Sequence, residues 1–217
     1  MNALQPSDMK TAKFNMIQQQ IRPWEVLDPR VLDCLAALDR ESFLPEKLAG
    51  VAYADYPLPA GHGELLLPPV LEGRMLQALD LKDSDSVLEI GSGTGYLTAC
   101  LACLAARVVS LDAYPDITTA ARERLQQLGI DNARFETVES LNDIRDKERY
   151  DAIAVGAGSL PAVPQNLLEA LAIGGRLFAI VGHSPVMSAE LITRLDSDDW
   201  QTEKLFETDI PPLSFAG

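Results

Sequence analysis

The densest chemistry in this sequence lies in Val87-Leu-Glu-Ile-Gly-Ser-Gly-Thr-Gly-Tyr96. A short apolar run feeds directly into Gly91, Gly93 and Gly95, and a helical pattern follows at once. Glycines placed this way let bare backbone approach a ligand where any Cβ would clash, at the start of a helix. A nicotinamide-type dinucleotide site uses G-x-G-x-x-G and seats a pyrophosphate there. Here the third glycine comes one position earlier, and Glu89 stands beside the loop. A carboxylate is awkward for a pyrophosphate but suits a cationic ligand, such as the sulfonium and amino groups of S-adenosylmethionine.

A second acid strengthens the pattern. Arg107-Val-Val-Ser-Leu-Asp112 reads as the next strand, and its terminal Asp112 can accept hydrogen bonds from both ribose hydroxyls of a nucleoside ligand. The competing reading of Asp112 is a cap on the helix that begins at Pro115. Glu139 and Ser140 follow the third strand at the same sheet edge, where an adenine ring would project; a solvated turn explains them equally well. The expected cofactor set is Glu89, Gly91, Ser92, Gly93, Gly95, Asp112, Ala113, Glu139 and Ser140.

The stretch LPAGHGELLLPPVLEGRM, residues 58–75, joins a small polar turn to three leucines and two prolines. His62 there reads as a turn residue or a substrate contact. Elsewhere, His183 reads as a loop residue, and Arg74 either meets an anionic acceptor or faces water from its helix. Cys34, Cys100 and Cys103 are an odd number and give no disulfide framework. Cys100 and Cys103 have no second Cys or His pair at zinc-ligand spacing, so the C-x-x-C reads as small core residues on a helix, and no metal site is expected.

These residues need elements to hold them. Ser7 or Asp8 can cap a helix toward Ile21 that Pro23 ends, and Asp28-Pro29 opens a second helix. Residues 51–69 carry four prolines and two glycines and read as an irregular connector. From Val70 the pattern is helix, strand 86–90, helix 95–105, strand 107–111, helix 115–128, strand 133–138, strand 150–155, helix 164–171 and strand 176–181. Such alternation implies a Rossmann-like, doubly wound α/β sheet. The alternating residues around Asp196-Ser-Asp-Asp199 add an antiparallel hairpin at its end. The division expected is an N-terminal helical segment with an acceptor-side loop, 1–69, and an α/β domain, 70–217, in one structural unit.

The chain has 217 residues, enough for one such domain and a modest appendage. A formal charge of −14, spread along the chain, would repel phosphate backbones and anionic membranes, so neither nucleic acid nor membrane is an expected partner. The first residues lack the pattern of a secretory signal, and Arg107 breaks the longest apolar run; a cytoplasmic protein is expected.

The sequence resembles the protein-L-isoaspartate O-methyltransferases, a branch of the class I S-adenosylmethionine-dependent methyltransferases. The likeness runs from about Met16 to Leu213. It is carried by Arg30-Val-Leu-Asp33, Phe43-Leu-Pro-Glu46, Tyr53 to His62, the glycine loop, Tyr150-Asp-Ala-Ile153, Ala170 to Leu177 and Pro212-Leu213. The resemblance implies a seven-stranded mixed sheet, S-adenosylmethionine held by Glu89 to Gly95 and Asp112, and methyl transfer to the α-carboxylate of isoaspartyl residues in damaged proteins. A carboxylate is already ionised at neutral pH, so no general base is needed. The task is positioning and exclusion of water.

One segment departs from the family. After the Gly-His-Gly turn the family continues Gln-Thr-Ile-Ser-x-Pro, and its two hydroxyls help hold the substrate carboxylate. Here Glu64 replaces the amide, and Leu65 and Leu67 replace the hydroxyls. The acceptor-loop candidates are therefore His62, Gly63, Glu64, Leu65 and Leu67. Gly156-Ala-Gly158 and Val138-Glu-Ser140 also differ from the family's Thr-Ala-Ala and Gly-Asp-Gly. Three readings follow: an isoaspartyl methyltransferase, a relative acting on a more apolar acceptor, and a non-catalytic S-adenosylmethionine-binding protein.

Overall fold

From Ser86 onward the apolar runs become strands of one sheet, and most of the stretches between them cross over it as helices. The computed structural model describes residues 6–144 and 149–214. In chain order the elements begin with α1 (Pro6–Asn15), α2 (Pro29–Ala37), α3 (Glu46–Ala49), β1 (Leu58–Gly61), β2 (Glu64–Leu66) and α4 (Pro69–Leu79). There follow β3 (Ser86–Ile90), α5 (Tyr96–Leu104), β4 (Arg107–Asp112), α6 (Pro115–Gln127), β5 (Ala133–Thr137) and β6 (Tyr150–Leu160). The last are α7 (Gln165–Ala170), β7 (Leu171–His183), β8 (Val186–Asp196) and β9 (Asp199–Thr208).

The sheet order is β5-β4-β3-β6-β7-β8-β9. The first five of these pair in parallel, whereas β8 pairs antiparallel with β7 and β9 antiparallel with β8. This is the expected doubly wound, seven-stranded mixed sheet with its C-terminal hairpin. Chain order reverses at β3, which lies between β4 and β6, so a crevice opens at their carboxyl ends.

Successive strand residues point to opposite faces. Val87 and Val108 join the core beneath α4 and α5, while Leu88, Ile90, Val109 and Leu111 join the core on the other face. Covering both faces is what makes these strands read as continuous apolar runs. The parity that sends Val87 and Val108 to the first face sends Glu89 and Ser110 there too, side by side as register partners.

The N-terminal helices pack on that first face. After α1 the chain widens into π-type turns over Met16–Ile21, burying Met16, Ile17 and Ile21, and ends at the Arg22–Trp24 turn around Pro23. Asp28 caps α2, its carboxylate accepting from Arg30 N at 2.8 Å. One apolar cluster draws Met16, Val31 and Leu35 together with Leu76, Val87 and Leu101. Arg74 does not face water as expected. It donates to Trp24 O at 2.9 Å and lies 5.0 Å from the Phe206 ring centre, tying the N-terminal turn to β9.

Two further expectations change. The connector 51–69 is not wholly irregular, because β1 and β2 pair as a short antiparallel ribbon around Gly61-His62-Gly63. His62 and Gly63 have φ of 50° and 84°, the positive values that a two-residue hairpin turn requires. Pro59 hid this ribbon from a propensity reading, yet a proline is tolerated in an edge strand. Of the C-x-x-C pair, Cys100 is buried as expected but Cys103 is exposed; all three thiols are free. Among the described residues no helix is long and apolar enough to cross a membrane.

Candidate active site

The β1–β2 ribbon lies over the crevice at the carboxyl ends of β3, β4 and β6. Its turn is fastened to the start of α6. The His62 ring stacks on Tyr114, with centroids 4.0 Å apart and planes 5° from parallel, and His62 Nε2 lies 2.9 Å from Asp116 Oδ2. That contact holds the Asp116 carboxyl below its ordinary range. On the other side of the ribbon, Leu66 rests on the glycine loop: a Cβ at Gly93 would sit 2.8 Å from Leu66 Cδ2.

Beneath the ribbon is a narrow cleft that reaches down to the glycine loop. Gly61, Gly91, Gly93 and Gly156 line it with bare backbone, and Asp112, Tyr114 and Ile117 close one side. Gly91 has φ of 93°, and a Cβ there would come within 2.0 Å of Ala157 Cβ. The loop is therefore committed to glycine at this point on two independent grounds.

Asp112 accepts from Gly93 N and Tyr114 N, each at 3.2 Å, so it shapes the loop as well as facing the cleft. Burial pushes its carboxyl upward, against the pull of backbone N–H groups from Gly93, Tyr114, Ser92 and Ala113.

Glu89 is placed behind the loop and not in the cleft. It is fully buried, and its Oε2 accepts from Thr98 and Ser110, both at 2.5 Å. Ser92 Oγ lies 2.7 Å from Ser110 Oγ, which extends the chain of hydroxyls into the loop itself. Burial raises the Glu89 carboxyl to about 8, although both hydroxyl donors pull it down. Gly95, at φ 85°, opens α5 and packs against Leu125 of α6. Ala113 is half-buried beside Asp112. Glu139 is exposed, Ser140 caps the next turn by accepting from Asn142 N at 3.1 Å, and neither lines the cleft.

A second cavity, about 260 Å³, adjoins the first. Its walls are the loop His62 to Pro68, Ala157 and Gly158 of β6, and the C-terminal Ile210-Pro-Pro212 with Ser214. Glu64, Leu65, Leu66 and Ala157 line both cavities. The C-terminal wall is held by two backbone bonds of 2.9 Å, Ser159 N to Pro211 O and Leu213 N to Ser159 O. Gly158 permits that approach, since a Cβ there would lie 2.6 Å from Leu213 N. Leu67 is 4% exposed and belongs to the main core, so only its edge reaches the cavity.

Sequence reasoning missed the brace beneath this loop. Arg40 and Glu72 form an ion pair in which both side chains are almost wholly buried. Arg40 Nη2 also donates to Leu67 O at 3.0 Å, and its guanidinium lies 4.8 Å from the Tyr96 ring centre at the start of α5. The signal was available in part. Glu72 stands three, four and seven positions before Met75, Leu76 and Leu79, on the stripe of α4 that faces the core. Asp55 was missed as well; its carboxylate accepts from Val70 N at 3.2 Å and caps α4, whose own cap residue is Pro68.

Comparison with known proteins agrees with this architecture. The family model described as Protein-L-isoaspartate(D-aspartate) O-methyltransferase (PCMT) matches residues 11–213. A protein-L-isoaspartate O-methyltransferase of Syntrophus aciditrophicus is 39% identical over 86% of this chain and 85% of its own length. One from Magnetococcus marinus is 40% identical over 86% and 81%. Among solved structures, a Plasmodium falciparum chain described as a protein-L-isoaspartate O-methyltransferase in complex with S-adenosyl-L-homocysteine superposes with a TM-score of 0.77. It covers 95% of this chain and 98% of its own at 22% identity, which supports the fold. With the family model spanning nearly the whole chain and relatives this similar along most of their length, the chain belongs to the protein-L-isoaspartate O-methyltransferase family.

Proposed function

We propose that this protein transfers a methyl group from S-adenosylmethionine to the α-carboxylate of isoaspartyl residues in damaged proteins, a repair reaction, and that it acts in the cytoplasm. One observation carries the reading of the site. The glycine-lined cleft and the cavity beside it share a wall made of Glu64, Leu65, Leu66 and Ala157, so a donor in the first abuts an acceptor in the second. The bare backbone at Gly61, Gly91, Gly93 and Gly156 lets a donor approach the loop closely, and Asp112 offers an acceptor for its ribose hydroxyls. When bound, the donor supplies an electrophilic methyl on a positively charged sulfur.

The chain's own work is positional. An isoaspartyl carboxylate arrives ionised, so the site requires no proton acceptor and needs only to align two groups and keep water away. The ribbon covers the donor, and Leu65, Leu66, Pro211 and Pro212 exclude solvent from the acceptor side. Backbone N–H groups of the 64–67 and 157–158 segments take over the acceptor contacts that hydroxyls make in the family.

The test is methyl transfer to an isoaspartyl peptide beside its normal aspartyl counterpart. Labelling of the isoaspartyl form alone is expected, and equal labelling or none overturns the proposal. The apolar lining of the acceptor cavity favours a second reading, a less polar acceptor, which a failed peptide assay combined with retained donor binding would bring forward.

A further inference from the structure

Glu64 occupies the shared wall of the two cavities, half-buried, and its carboxylate has no hydrogen-bond or ion-pair partner among the described residues. Among the described residues no Lys or Arg side chain lines either cavity; the acids Glu64 and Asp112 do, and the imidazole of His62 is engaged by Asp116. The acceptor is itself an anion. Bringing a carboxylate beside an unpaired, partly desolvated carboxylate is unfavourable, and the penalty grows as water is excluded. A substrate that brings its own cation removes the penalty by pairing with Glu64.

We propose that Glu64 is a specificity-determining residue that selects isoaspartyl sites with a lysine or arginine next to the damaged residue and disfavours sites flanked by acids. The inference rests on the isoaspartyl reading of the acceptor cavity. Glu64 acts on the neighbouring side chain of the substrate and takes no part in bond making. The formal charge of −14 would also favour cationic peptides from a distance, but that field barely depends on any single acid, whereas the selection assigned here depends on one.

The experiment compares peptides that differ only in carrying Lys or Glu beside the isoaspartyl residue, on each side in turn. At low ionic strength kcat/KM should favour the lysine peptide about ten-fold on at least one side, and salt should shrink the ratio. Glu64→Gln should bring the ratio close to one, and Glu64→Lys should invert it. Asp198→Asn, which removes an exposed acid at the β8–β9 turn, should leave it unchanged. A lysine preference that survives Glu64→Gln, or that Asp198→Asn erodes equally, overturns the assignment to Glu64. Equal methylation of both peptides by the unaltered protein overturns the selection but leaves the isoaspartyl reaction standing. Methylation of neither overturns the reaction and the inference with it.

Discussion

His62 Nε2 and Asp116 Oδ2 lie 2.9 Å apart, joining the turn of the β1–β2 ribbon to the first turn of α6 across 54 positions of sequence. The stacked Tyr114 ring completes the fastening, and Leu66 anchors the opposite strand on Gly93. The ribbon is thus pinned at both sides of the cleft it covers. A two-stranded ribbon has little stability of its own, so its position depends on such contacts.

Replacing His62 by Asn keeps a residue that tolerates positive φ and removes both the ring stack and the hydrogen bond to Asp116. If the covering position falls from nearly full occupancy to about a third, donor affinity falls about three-fold. Calorimetry with S-adenosylhomocysteine checks this. The thermal midpoint should barely move, because His62 is exposed; an unchanged Kd would mean that the ribbon does not hold the donor.

Glu89 makes stability depend on pH. Its carboxyl is raised from an ordinary 4.5 to about 8 by burial, so between those values the folded protein keeps a proton that the unfolded chain has released. Stability from this group is fully present below about 4.5, is lost by up to about 1.4 kcal/mol per unit as pH rises, and levels off above about 8. Glu89→Gln is neutral throughout and can still accept from Thr98 and Ser110. Urea midpoints of the two proteins should converge near pH 5 and separate toward pH 8, with the variant the more stable. A constant gap across that range would show that the carboxyl is ionised throughout.

The Arg40–Glu72 pair predicts a strong non-additivity. Arg40→Met strands Glu72 in the core and frees the Leu67 carbonyl, at a cost of about 3 to 5 kcal/mol. Adding Glu72→Leu should recover most of that loss, because no buried charge is then left without a partner. Urea denaturation of the two single variants and the double variant measures the coupling. Additive losses would show that the pair stabilises the fold through more than mutual neutralisation.

The sheet and the glycine loop were legible because local patterns carry them. Short apolar runs fix the strands, and Gly91, Gly93 and Asp112 are set by chain geometry at the ends of β3 and β4. Glu89 illustrates the limit of that legibility. Its position beside the loop suggested a ligand contact, yet strand alternation turns its side chain away from the cleft toward Thr98. That parity could have been worked out from Val87 and Leu88. Arg40–Glu72, His62–Asp116 and Asp55–Val70 were not legible, since each joins segments that only the folded chain brings together.

Leu65 and Leu67 stand where the family has hydroxyls, and the structure separates their roles. Leu67 belongs to the main core, so Leu67→Ser removes buried apolar volume and introduces a hydroxyl with no assured partner, costing about 2 kcal/mol or more. Leu65 is half-buried in the wall shared by both cavities, where a hydroxyl can face the acceptor. A neutral donor to a charged acceptor contributes about 1.5 to 3 kcal/mol, so Leu65→Thr should raise isoaspartyl kcat/KM about ten-fold or more. Leu67→Ser should instead lower the unfolding midpoint without that gain. Steady-state kinetics on an isoaspartyl peptide, read beside urea denaturation of each variant, checks both halves. A gain from Leu67→Ser and none from Leu65→Thr would place the substrate carboxylate on the other side of the loop.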